Sequence, residues 1–371
     1  MARKKILFTS LLKPVTEPRM YLKLALSVAQ TSKYAINIIG FKSKNLPPSA
    51  GITFIPLFDF NRLSWRRFTA PIKFTIYLLK VNPDLIVVSS IDFQIVTITY
   101  KLLFGSKICY DVQENHSRNI RYGNSLPAAI RHLSAWLVRL KERIFIPFAD
   151  LIVVAEKCYP DQMPYLKNRP ILVLENKYRG TLAEEYFPIK EIKTLHLVYT
   201  GTLHPSRGIK EAILFTVRLQ KHRACRLTIA GFSAIEGFRE QLEDMVAPFP
   251  FIELIQEAFP LPYEEIVRHI VAADVVLLPL KPDKSTENKV PTKLYEALAL
   301  KKPILLQQNP PLERICSRYN AAIAIDFATA PAEKVSEALN TTGFYTKMPG
   351  KEVLWAPEGE AFTTAVSQLL N

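Results

Sequence analysis

Cysteine is scarce in this 371-residue chain and provides no covalent or metal-binding framework. The four cysteines, Cys109, Cys158, Cys225 and Cys316, stand far apart, and none belongs to a C-x-x-C pair. Disulfide scaffolds and zinc ribbons need closely spaced cysteines, so neither is expected. The six histidines also lack the spacing of metal ligands. The sequence therefore predicts no metal site and favours a reducing compartment, the cytoplasm.

Several catalytic and nucleotide-binding motifs are absent as well. The chain contains no G-x-G-x-x-G, G-x-x-x-x-G-K-[ST], G-x-S-x-G, H-E-x-x-H or D-x-D. These absences remove support for dinucleotide oxidoreductases, P-loop NTPases, serine hydrolases and zinc proteases. No bound cofactor is expected.

Long uninterrupted apolar runs are also missing. The first run meets Lys13 and Pro14 too early for the apolar region of a signal peptide, so we interpret it as a buried strand. Residues 85–104 approach the length of a membrane span, but Asp92 and Lys101 interrupt them. A strand followed by a helix explains this segment without a membrane.

Charge is plentiful and unevenly placed. The formal net charge is +14, from 48 Lys or Arg and 34 Asp or Glu residues. Residues 1–190 hold 28 basic and 13 acidic residues, whereas residues 191–371 hold 20 and 21. Only the first half is therefore expected to face a negatively charged partner. Anionic lipid headgroups, a phosphate-bearing acceptor and nucleic acid are the candidates.

Apolar runs rich in Ile and Val alternate with segments of helical period along the whole chain. Examples are DLIVVSS, KICYDV and DLIVVAE in the first half, and LHLVYTG, CRLTIAG and DVVLLPL in the second. This rhythm is typical of β-α-β units around a parallel sheet buried on both faces. The chain is also too long for one hydrophobic core. We expect an α/β fold with two Rossmann-like, doubly wound parallel-sheet domains that face a cleft.

The domain boundary is predicted where the apolar period lapses, near residues 176–193. We assign residues 1–180 to a basic N-terminal domain and residues 181–352 to a C-terminal domain. Residues 353–371 are predicted to form a helix that crosses back to the first domain.

The loop after LHLVYTG has the composition of an anion site. Gly201 allows a tight turn, and Arg207, Gly208 and Lys210 stand where the next helix begins. Free amides and the helix dipole favour an anion at such a position, at the carboxyl end of a parallel strand. The pattern fits a diphosphate, and equally a glycine turn with surface basic residues.

The segment VPTKLYEALAL places a lysine and a glutamate on one face of a helix start. Lys293 and Glu296 are three residues apart, while Leu294 and Leu298 face the sheet. An exposed ion pair is one interpretation. The preceding strand, however, ends at the edge where ligands bind, and there a cation can meet phosphate while a carboxylate accepts ribose hydroxyls.

These segments resemble a known family. The chain contains VYTGTL followed by RG, then AADVVLLPL, then PTKLYEALALKKPIL and a late VLWAPEG, and its first half contains NPDLIVVSS, YDVQEN and ADLIVVAE in order. Together they closely resemble the retaining GT-B glycosyltransferases, specifically glycosyltransferase family four. The resemblance spans nearly the whole chain. It implies metal-independent transfer from a nucleoside-diphosphate sugar, with a C-terminal donor-binding domain and an N-terminal acceptor-binding domain.

The resemblance implies roles for particular residues of the second half. Arg207 and Lys293 would be catalytic, because they would stabilise the leaving diphosphate. Glu296 would hold the ribose as the second glutamate of the family's E-x7-E motif. The first position of that motif is Asn288 in this chain. Thr202 stands directly after the strand glycine, where the family often has an arginine. The donor-binding set is Gly201, Thr202, Glu287, Asn288, Thr292, Leu294 and Glu296.

In the first half, the resemblance implies an acceptor side. The segment YDVQEN carries Gln113 where the family has a histidine, followed by Glu114. The family's glycine-rich turn after the first strand is replaced by SLLKPVTEPR. Lys13 and Arg19 in that segment would bind an acceptor phosphate, or the segment is a solvated loop.

Two basic, aromatic stretches, residues 62–80 and 130–148, have apolar residues at helical spacing. They are consistent with helices packed on the first sheet. They are also consistent with contact between an anionic membrane and Trp65, Arg66, Arg67, Trp136 and Arg139. In that case the protein would be peripheral at the inner membrane face.

The functional hypothesis is a hexosyltransferase-type glycosyltransferase of bacterial surface polysaccharide or glycolipid synthesis. Its partners would be a nucleotide-sugar donor and an acceptor glycan or lipid-linked sugar, without specific nucleic acid. The alternatives are a sugar-nucleotide epimerase on the same scaffold and a non-catalytic polyanion-binding protein with a degenerate site.

Overall fold

The computed structural model describes residues 3–43, 46–48, 51–60, 64–123, 126–190 and 192–371. The chain divides into two compact units, one formed by Met1–Arg179 with Trp355–Asn371 and the other by Gly180–Leu354. Each unit is an α/β domain with its own parallel sheet. The predicted fold class of two Rossmann-like parallel-sheet domains is confirmed.

The sheet of the first unit has seven strands in the described part of the chain: β1 (Lys5–Pro14), β2 (Ala35–Phe41), β3 (Ile52–Phe58), β4 (Leu85–Val88), β5 (Lys107–Val112), β6 (Leu151–Val154) and β7 (Ile171–Val173). They pair in parallel in the order β3-β2-β1-β4-β5-β6-β7. The central strand β4 is buried over its whole length, because helices cover both faces of such a sheet.

The connections between these strands are helical. They contain α1 (Leu26–Ala29), α2 (Arg66–Val81), α3 (Gln94–Phe104), α4 (His116–Tyr122), α5 (Ala128–Phe145) and α6 (Tyr159–Gln162). A π-helix, Arg19–Ala25, runs directly into α1, and three 3₁₀ turns lie at Ile91–Phe93, Ile146–Phe148 and Pro164–Asn168. The helix α2 ends at Asn82, whose left-handed conformation stops the helical hydrogen bonding.

The second unit has a six-stranded parallel sheet within the described residues: β8 (Leu195–Thr202), β9 (Cys225–Phe232), β10 (Ile252–Glu257), β11 (Val275–Leu278), β12 (Ile304–Gln307) and β13 (Ala322–Ile325). Its order is β10-β9-β8-β11-β12-β13, so the direction of winding reverses between β8 and β11. Ligands bind beside such a reversal in open α/β sheets.

The helices of the second unit are α7 (Ile209–Leu219), α8 (Glu236–Val246), α9 (Tyr263–Ala272), α10 (Thr292–Ala299), α11 (Pro310–Ser317) and α12 (Ala332–Thr341). Short 3₁₀ turns lie at Pro205–Arg207 and Lys351–Val353. The helix α10 is buried along most of its length, because its alanines and leucines pack on the sheet.

The final helix, α13 (Ala356–Leu370), belongs to the first unit. Its residues Phe362, Val366 and Leu370 follow one another at four-residue spacing and join the core beside Phe8. At its start, the indole nitrogen of Trp355 donates a 2.9 Å hydrogen bond to Ser27 Oγ. None of the described helices combines the length and apolar character that crossing a membrane requires.

Candidate functional site

The candidate site lies where two neighbouring strands of the second unit end. The strands β8 and β11 pair in parallel, with Leu197 opposite Val275 and Val198 opposite Val276. Their carboxyl ends therefore meet at the same edge of the sheet. The loop after β8 leads into α7, and the loop after β11 leads into α10.

Gly201 and Lys293 are in direct contact at this edge. Gly201 has φ of 106°, a conformation that residues with a Cβ rarely adopt. An ideal Cβ at this position would overlap Lys293 Nζ and lie 2.6 Å from Lys293 Cε. The lysine side chain thus occupies the space that the missing side chain leaves, and this contact joins the end of β8 to the start of α10.

Gly208 brings the start of α7 against the end of β11. It precedes the helix with φ of 73°, and an ideal Cβ would overlap the carbonyl oxygen of Pro279 and lie 2.8 Å from its carbonyl carbon. Gly231 makes a similar close approach, since its Cβ would lie 2.9 Å from the carbonyl carbon of Gly201. Sequence reasoning missed Pro279 and Gly231 as parts of this edge. The signal for Gly231 was available in the sequence, because a glycine within a strand often marks a close approach of another backbone segment.

Lys293 lies within electrostatic range of Arg207 and Glu296. Burial lowers the pKa of the Lys293 ammonium, the Glu296 carboxylate acts to raise that pKa, and the Arg207 guanidinium lowers it further. The two cations and the carboxylate predicted from the sequence are therefore brought together. Two neighbouring positive charges, one of them desolvated, form a site that an anion would stabilise.

Glu296 is only 2% exposed. Neither its carboxylate nor the Lys293 ammonium has a hydrogen bond or an ion pair with another side chain among the described residues. The surface ion pair that the spacing allowed is thus not formed. An ionised carboxylate only accepts hydrogen bonds, so this group is available to the hydroxyls of a ligand.

Two helices begin at this edge without a side-chain cap. In the described part of the chain, no side chain accepts a hydrogen bond from the first turn of α7, which follows Gly208, or of α10, which follows Pro291. Their first amides are available to a ligand, and both helix dipoles favour negative charge there.

The remaining donor-side residues have varied environments. Thr292 is half-buried at the first position of α10, and Leu294 is fully buried in the core. Thr202 is exposed, and its carbonyl accepts a 3.0 Å hydrogen bond from the Tyr199 hydroxyl. Leu294 can therefore act only through its backbone or by packing.

Glu287 and Asn288 are exposed in the loop between β11 and α10. Asn288 adopts a left-handed conformation, with φ of 63°. The loop is held by Asp283, whose Oδ1 accepts hydrogen bonds from the backbone amides of Ser285 at 2.6 Å and Thr286 at 2.9 Å. The loop thus has its own internal support, and the donor-binding roles of Glu287 and Asn288 stay predictions.

In the first unit, the structure brings Lys13 and Gln113 together. Lys13 Nζ donates to Gln113 Oε1 and lies 3.6 Å from a carboxylate oxygen of Glu17. Gln113 Nε2 in turn donates to Asp111 Oδ2 at 2.7 Å. Glu114 is exposed and accepts a 2.8 Å hydrogen bond from Asn119. The acceptor-side roles of these residues stay predictions.

Arg19 is not in a solvated loop, because it opens the π-helix and is only 3% exposed. Its Nη2 donates to Asp111 Oδ1 at 2.8 Å, and its Nη1 donates to the Leu174 carbonyl at 2.8 Å and to Asn176 Oδ1 at 2.9 Å. The guanidinium thus donates its hydrogen bonds to groups within the first unit. Its predicted contact with an acceptor phosphate is untested, and this geometry favours a structural role.

Among the described residues, no group of three or more His, Cys, Asp or Glu side chains is placed to hold a metal ion. The positive charge at the edge of the second sheet comes from Arg207, Lys293 and the two helix starts. A diphosphate is a suitable ligand for that charge, and the adjacent carboxylate suits a pair of hydroxyls.

Comparison with known families places this edge in a defined domain. Residues 184–349 match the family model described as glycosyl transferases group 1. The match covers most of the second unit, which is therefore similar to the group 1 glycosyl transferases. The matched segment contains Gly201, Arg207, Lys293 and Glu296, which are the residues that the structure brings together. No curated protein matches the chain by sequence.

Solved structures with the same fold cover nearly the whole chain. Sucrose-phosphate synthase from Thermosynechococcus elongatus aligns with a TM-score of 0.68 at 15% identity, over 99% of this chain and 98% of that one. UDP-GlcNAc 2-epimerase from Neisseria meningitidis, bound to UDP-GlcNAc, aligns with a TM-score of 0.61 at 12% identity, over 99% of each chain. Anabaena HepE, in complex with UDP-glucose, aligns with a TM-score of 0.62 at 12% identity, over 98% of this chain and 99% of that one. These likenesses show that the fold is of the GT-B type.

Proposed function

We propose that the protein transfers a hexose from a nucleoside-diphosphate sugar to a hydroxyl of an acceptor glycan or lipid-linked sugar. The reaction would retain the anomeric configuration and serve the synthesis of bacterial surface polysaccharide or glycolipid. One observation carries the proposal: Lys293 lies across Gly201, within electrostatic range of both Arg207 and Glu296. The match of residues 184–349 to the glycosyl transferases group 1 family model supports it.

The leaving diphosphate would bind between Arg207, Lys293 and the first amides of α7 and α10. Negative charge grows on the diphosphate as the glycosidic bond breaks, so fixed positive groups at this position stabilise the transition state more than the ground state. Arg207 can donate in a fork to two phosphate oxygens, whereas Lys293 acts as a compact charge. These groups supply the positive charge themselves, so we expect turnover to persist in the presence of EDTA.

Glu296 would bind the ribose of the nucleotide. An ionised carboxylate accepts hydrogen bonds only, and two adjacent hydroxyls can donate to its two oxygens. The Glu296 side chain is largely enclosed by α10 and the sheet, so its carboxylate is held in place for this pairing. Nucleotide binding would thus give the carboxylate hydrogen-bond donors that the described residues do not supply.

The acceptor hydroxyl would attack on the face from which the diphosphate departs, and it would lose its proton to the leaving phosphate. This geometry gives retention without a covalent sugar intermediate on the protein. In the first unit, the chain of hydrogen bonds from Lys13 through Gln113 to Asp111 offers a cation and an amide to an acceptor.

Calorimetry with UDP and GDP tests donor binding first. Heat of binding with one of them is expected, and it should disappear in the Lys293→Ala variant. Incubation with a labelled nucleotide sugar and a panel of acceptors should then yield a glycoside whose anomeric configuration, read by NMR, matches that of the donor. No binding of either nucleotide, together with salt-sensitive binding of nucleic acid, would instead indicate a polyanion-binding protein.

A sugar-nucleotide epimerase is the second candidate, and the fold shared with UDP-GlcNAc 2-epimerase favours it. An epimerase changes the configuration of the nucleotide sugar and needs no acceptor hydroxyl. Product analysis without any acceptor separates the two activities. Appearance of an epimerised nucleotide sugar under those conditions would overturn the transferase proposal.

A further inference from the structure

Three helices of the first unit, α2, α3 and α5, expose an unusual share of the protein's large apolar side chains. Of the 24 such exposed residues in the described part of the chain, 15 lie on these helices or on Trp65, which precedes α2. The helix α3 packs against both α2 and α5, so the three are neighbours. Large exposed apolar surfaces on a folded domain mark sites where another protein or a membrane binds.

The helix α2 is apolar on two opposite sides. Its core side is formed by Ala70, Phe74 and Leu78, which are fully buried. Its other side exposes Phe68, Ile72, Ile76 and Leu79. Residues at these three- and four-residue intervals lie within about 80° of the helix circumference. The exposed stripe is therefore not needed for packing on the sheet.

The helix α5 repeats the pattern. Its buried side includes Ala135 and Phe145. Its exposed side carries a stripe at the same spacing, formed by Ile130, Leu133, Leu137, Leu140 and Ile144, with Trp136 at its edge. Indole rings combine an apolar body with one polar donor, so exposed tryptophans suit the boundary between water and lipid.

The charge carried by these three helices is almost all positive. The three helices contain nine Lys or Arg residues and one acidic residue, Glu142. Glu142 is buried and accepts hydrogen bonds from the hydroxyls of Tyr110 and Tyr165, both at 2.8 Å. It therefore does not offset the positive charge at the surface.

The basic residues of α2 stand beside its exposed stripe. Arg66, Lys73 and Lys80 are exposed and follow one another at seven-residue intervals, which places them along one flank of the stripe. Arg67 differs, because it is paired with Asp92 at 3.0 Å. An apolar stripe with a row of cations on its flank is the arrangement of a helix that lies in a membrane interface.

We propose that the exposed face of α2, α3 and α5 docks on a lipid bilayer that contains anionic headgroups. The apolar stripes would enter the headgroup region, and the flanking cations would meet lipid phosphates. A second copy of the chain is a poor occupant, because it would bring two rows of positive charge together. The docking does not depend on the proposed sugar transfer, although it would place the protein beside a lipid-linked acceptor.

Co-sedimentation of the full chain with vesicles tests the proposal. Vesicles of neutral phosphatidylcholine should bind weakly, whereas vesicles with about one third phosphatidylglycerol should bind strongly and lose the protein as salt is raised. Each basic residue near an anionic surface contributes about 1 kcal/mol, roughly a fivefold change in partition. The Lys73→Glu/Lys80→Glu variant should therefore bind anionic vesicles at least about 25-fold more weakly.

Matched variants separate this face from the rest of the surface. Phe68→Ser should weaken binding by about tenfold, while Phe259→Ser should not, although the two side chains are 73% and 69% exposed. The charge control is Lys221→Glu/Lys334→Glu, which changes two exposed lysines of the second unit. All four variants alter exposed side chains, and their nucleotide binding should equal that of the wild type.

Three results would overturn the proposal. One is equal binding to neutral and anionic vesicles. Another is equal loss of binding in the variants of the first unit and in their controls. The third is a stable dimer, measured by sedimentation velocity without lipid, that Phe68→Ser converts to a monomer, since that result would assign the face to self-association.

Discussion

The ammonium of Lys293 lies in the space that a side chain at Gly201 would fill. Gly201 is the next-to-last residue of β8, whereas Lys293 is the second residue of α10. The contact exists because β8 and β11 are neighbours in the sheet. A substitution at Gly201 is therefore expected to act through the lysine.

Gly201→Ala should displace Lys293 and impair donor binding. The new methyl group would overlap the lysine side chain, and the positive φ would add strain on the order of 1–2 kcal/mol. Calorimetry should show nucleotide affinity reduced by about tenfold or more, as expected for the loss of one charge-assisted contact. Gly105→Ala is the control, because Gly105 also has positive φ, at 75°, but nothing lies near its Cβ position. Equal nucleotide affinity in both variants would contradict the role of the contact.

Arg207→Ala and Lys293→Ala should each reduce turnover by about 10²-fold or more, because each removes a group that stabilises charge on the leaving diphosphate. Lys210→Ala is the matched control. Lys210 also lies at the start of α7, but its ammonium donates to Gln241 at 2.9 Å. Steady-state kinetics should show its kcat near that of the wild type. Unchanged turnover in both test variants would remove the proposed mechanism.

Glu296→Gln should weaken nucleotide binding chiefly through the ribose. The amide has no charge and one acceptor oxygen in place of two, so we expect an affinity loss of about 2 kcal/mol, near thirtyfold. The loss should shrink when the ligand is the 2′,3′-dideoxy analogue, whose ribose cannot donate. An equal loss for both ligands would show that Glu296 acts elsewhere, for instance on the conformation of Lys293.

Nucleotide affinity should fall as the solution becomes more alkaline. Burial and the nearby Arg207 hold the pKa of free Lys293 below its ordinary value of 10.5, so its ammonium loses the proton at a lower pH than an ordinary lysine does. A bound diphosphate favours the ammonium and raises that pKa, so binding takes up protons and weakens as pH rises through the lowered pKa.

Calorimetry from about pH 7 to about pH 9, in two buffers of different ionisation enthalpy, measures this proton uptake. The Lys293→Arg variant should bind with little dependence on pH, because arginine stays charged throughout this range. A wild-type affinity independent of pH, without proton uptake, would contradict the role of Lys293.

Asp111→Asn should destabilise the first unit by about 3–5 kcal/mol, because it leaves the buried Arg19 guanidinium without its counter-charge. All three tryptophans, Trp65, Trp136 and Trp355, belong to this unit, so tryptophan fluorescence during urea unfolding reports its stability. Asp59→Asn removes half of an exposed ion pair with Lys42 and should change little. Similar unfolding curves for the two variants would show that Arg19 is not structural.

The local parts of the candidate site could be predicted from the sequence. Gly201 after a buried strand, Arg207 at a helix entry and the Lys293 and Glu296 pair at the next helix start are all local patterns. The surroundings of these side chains could not be predicted in the same way. The spacing of Lys293 and Glu296 allowed an exposed ion pair, and only the packing of α10 on the sheet shows that Glu296 is buried.

The sequence by itself determined the two parallel sheets and the positions of the helices between their strands, because apolar periodicity is a local property. It also determined which half of the protein is basic. Tertiary structure alone decided that Lys293 fills the space beside Gly201, that Arg19 turns inward to Asp111, and that the basic helices α2 and α5 leave apolar stripes exposed to solvent. These relationships depend on which strands and helices become neighbours, and residues far apart in the chain meet only when burial of the apolar faces fixes that order.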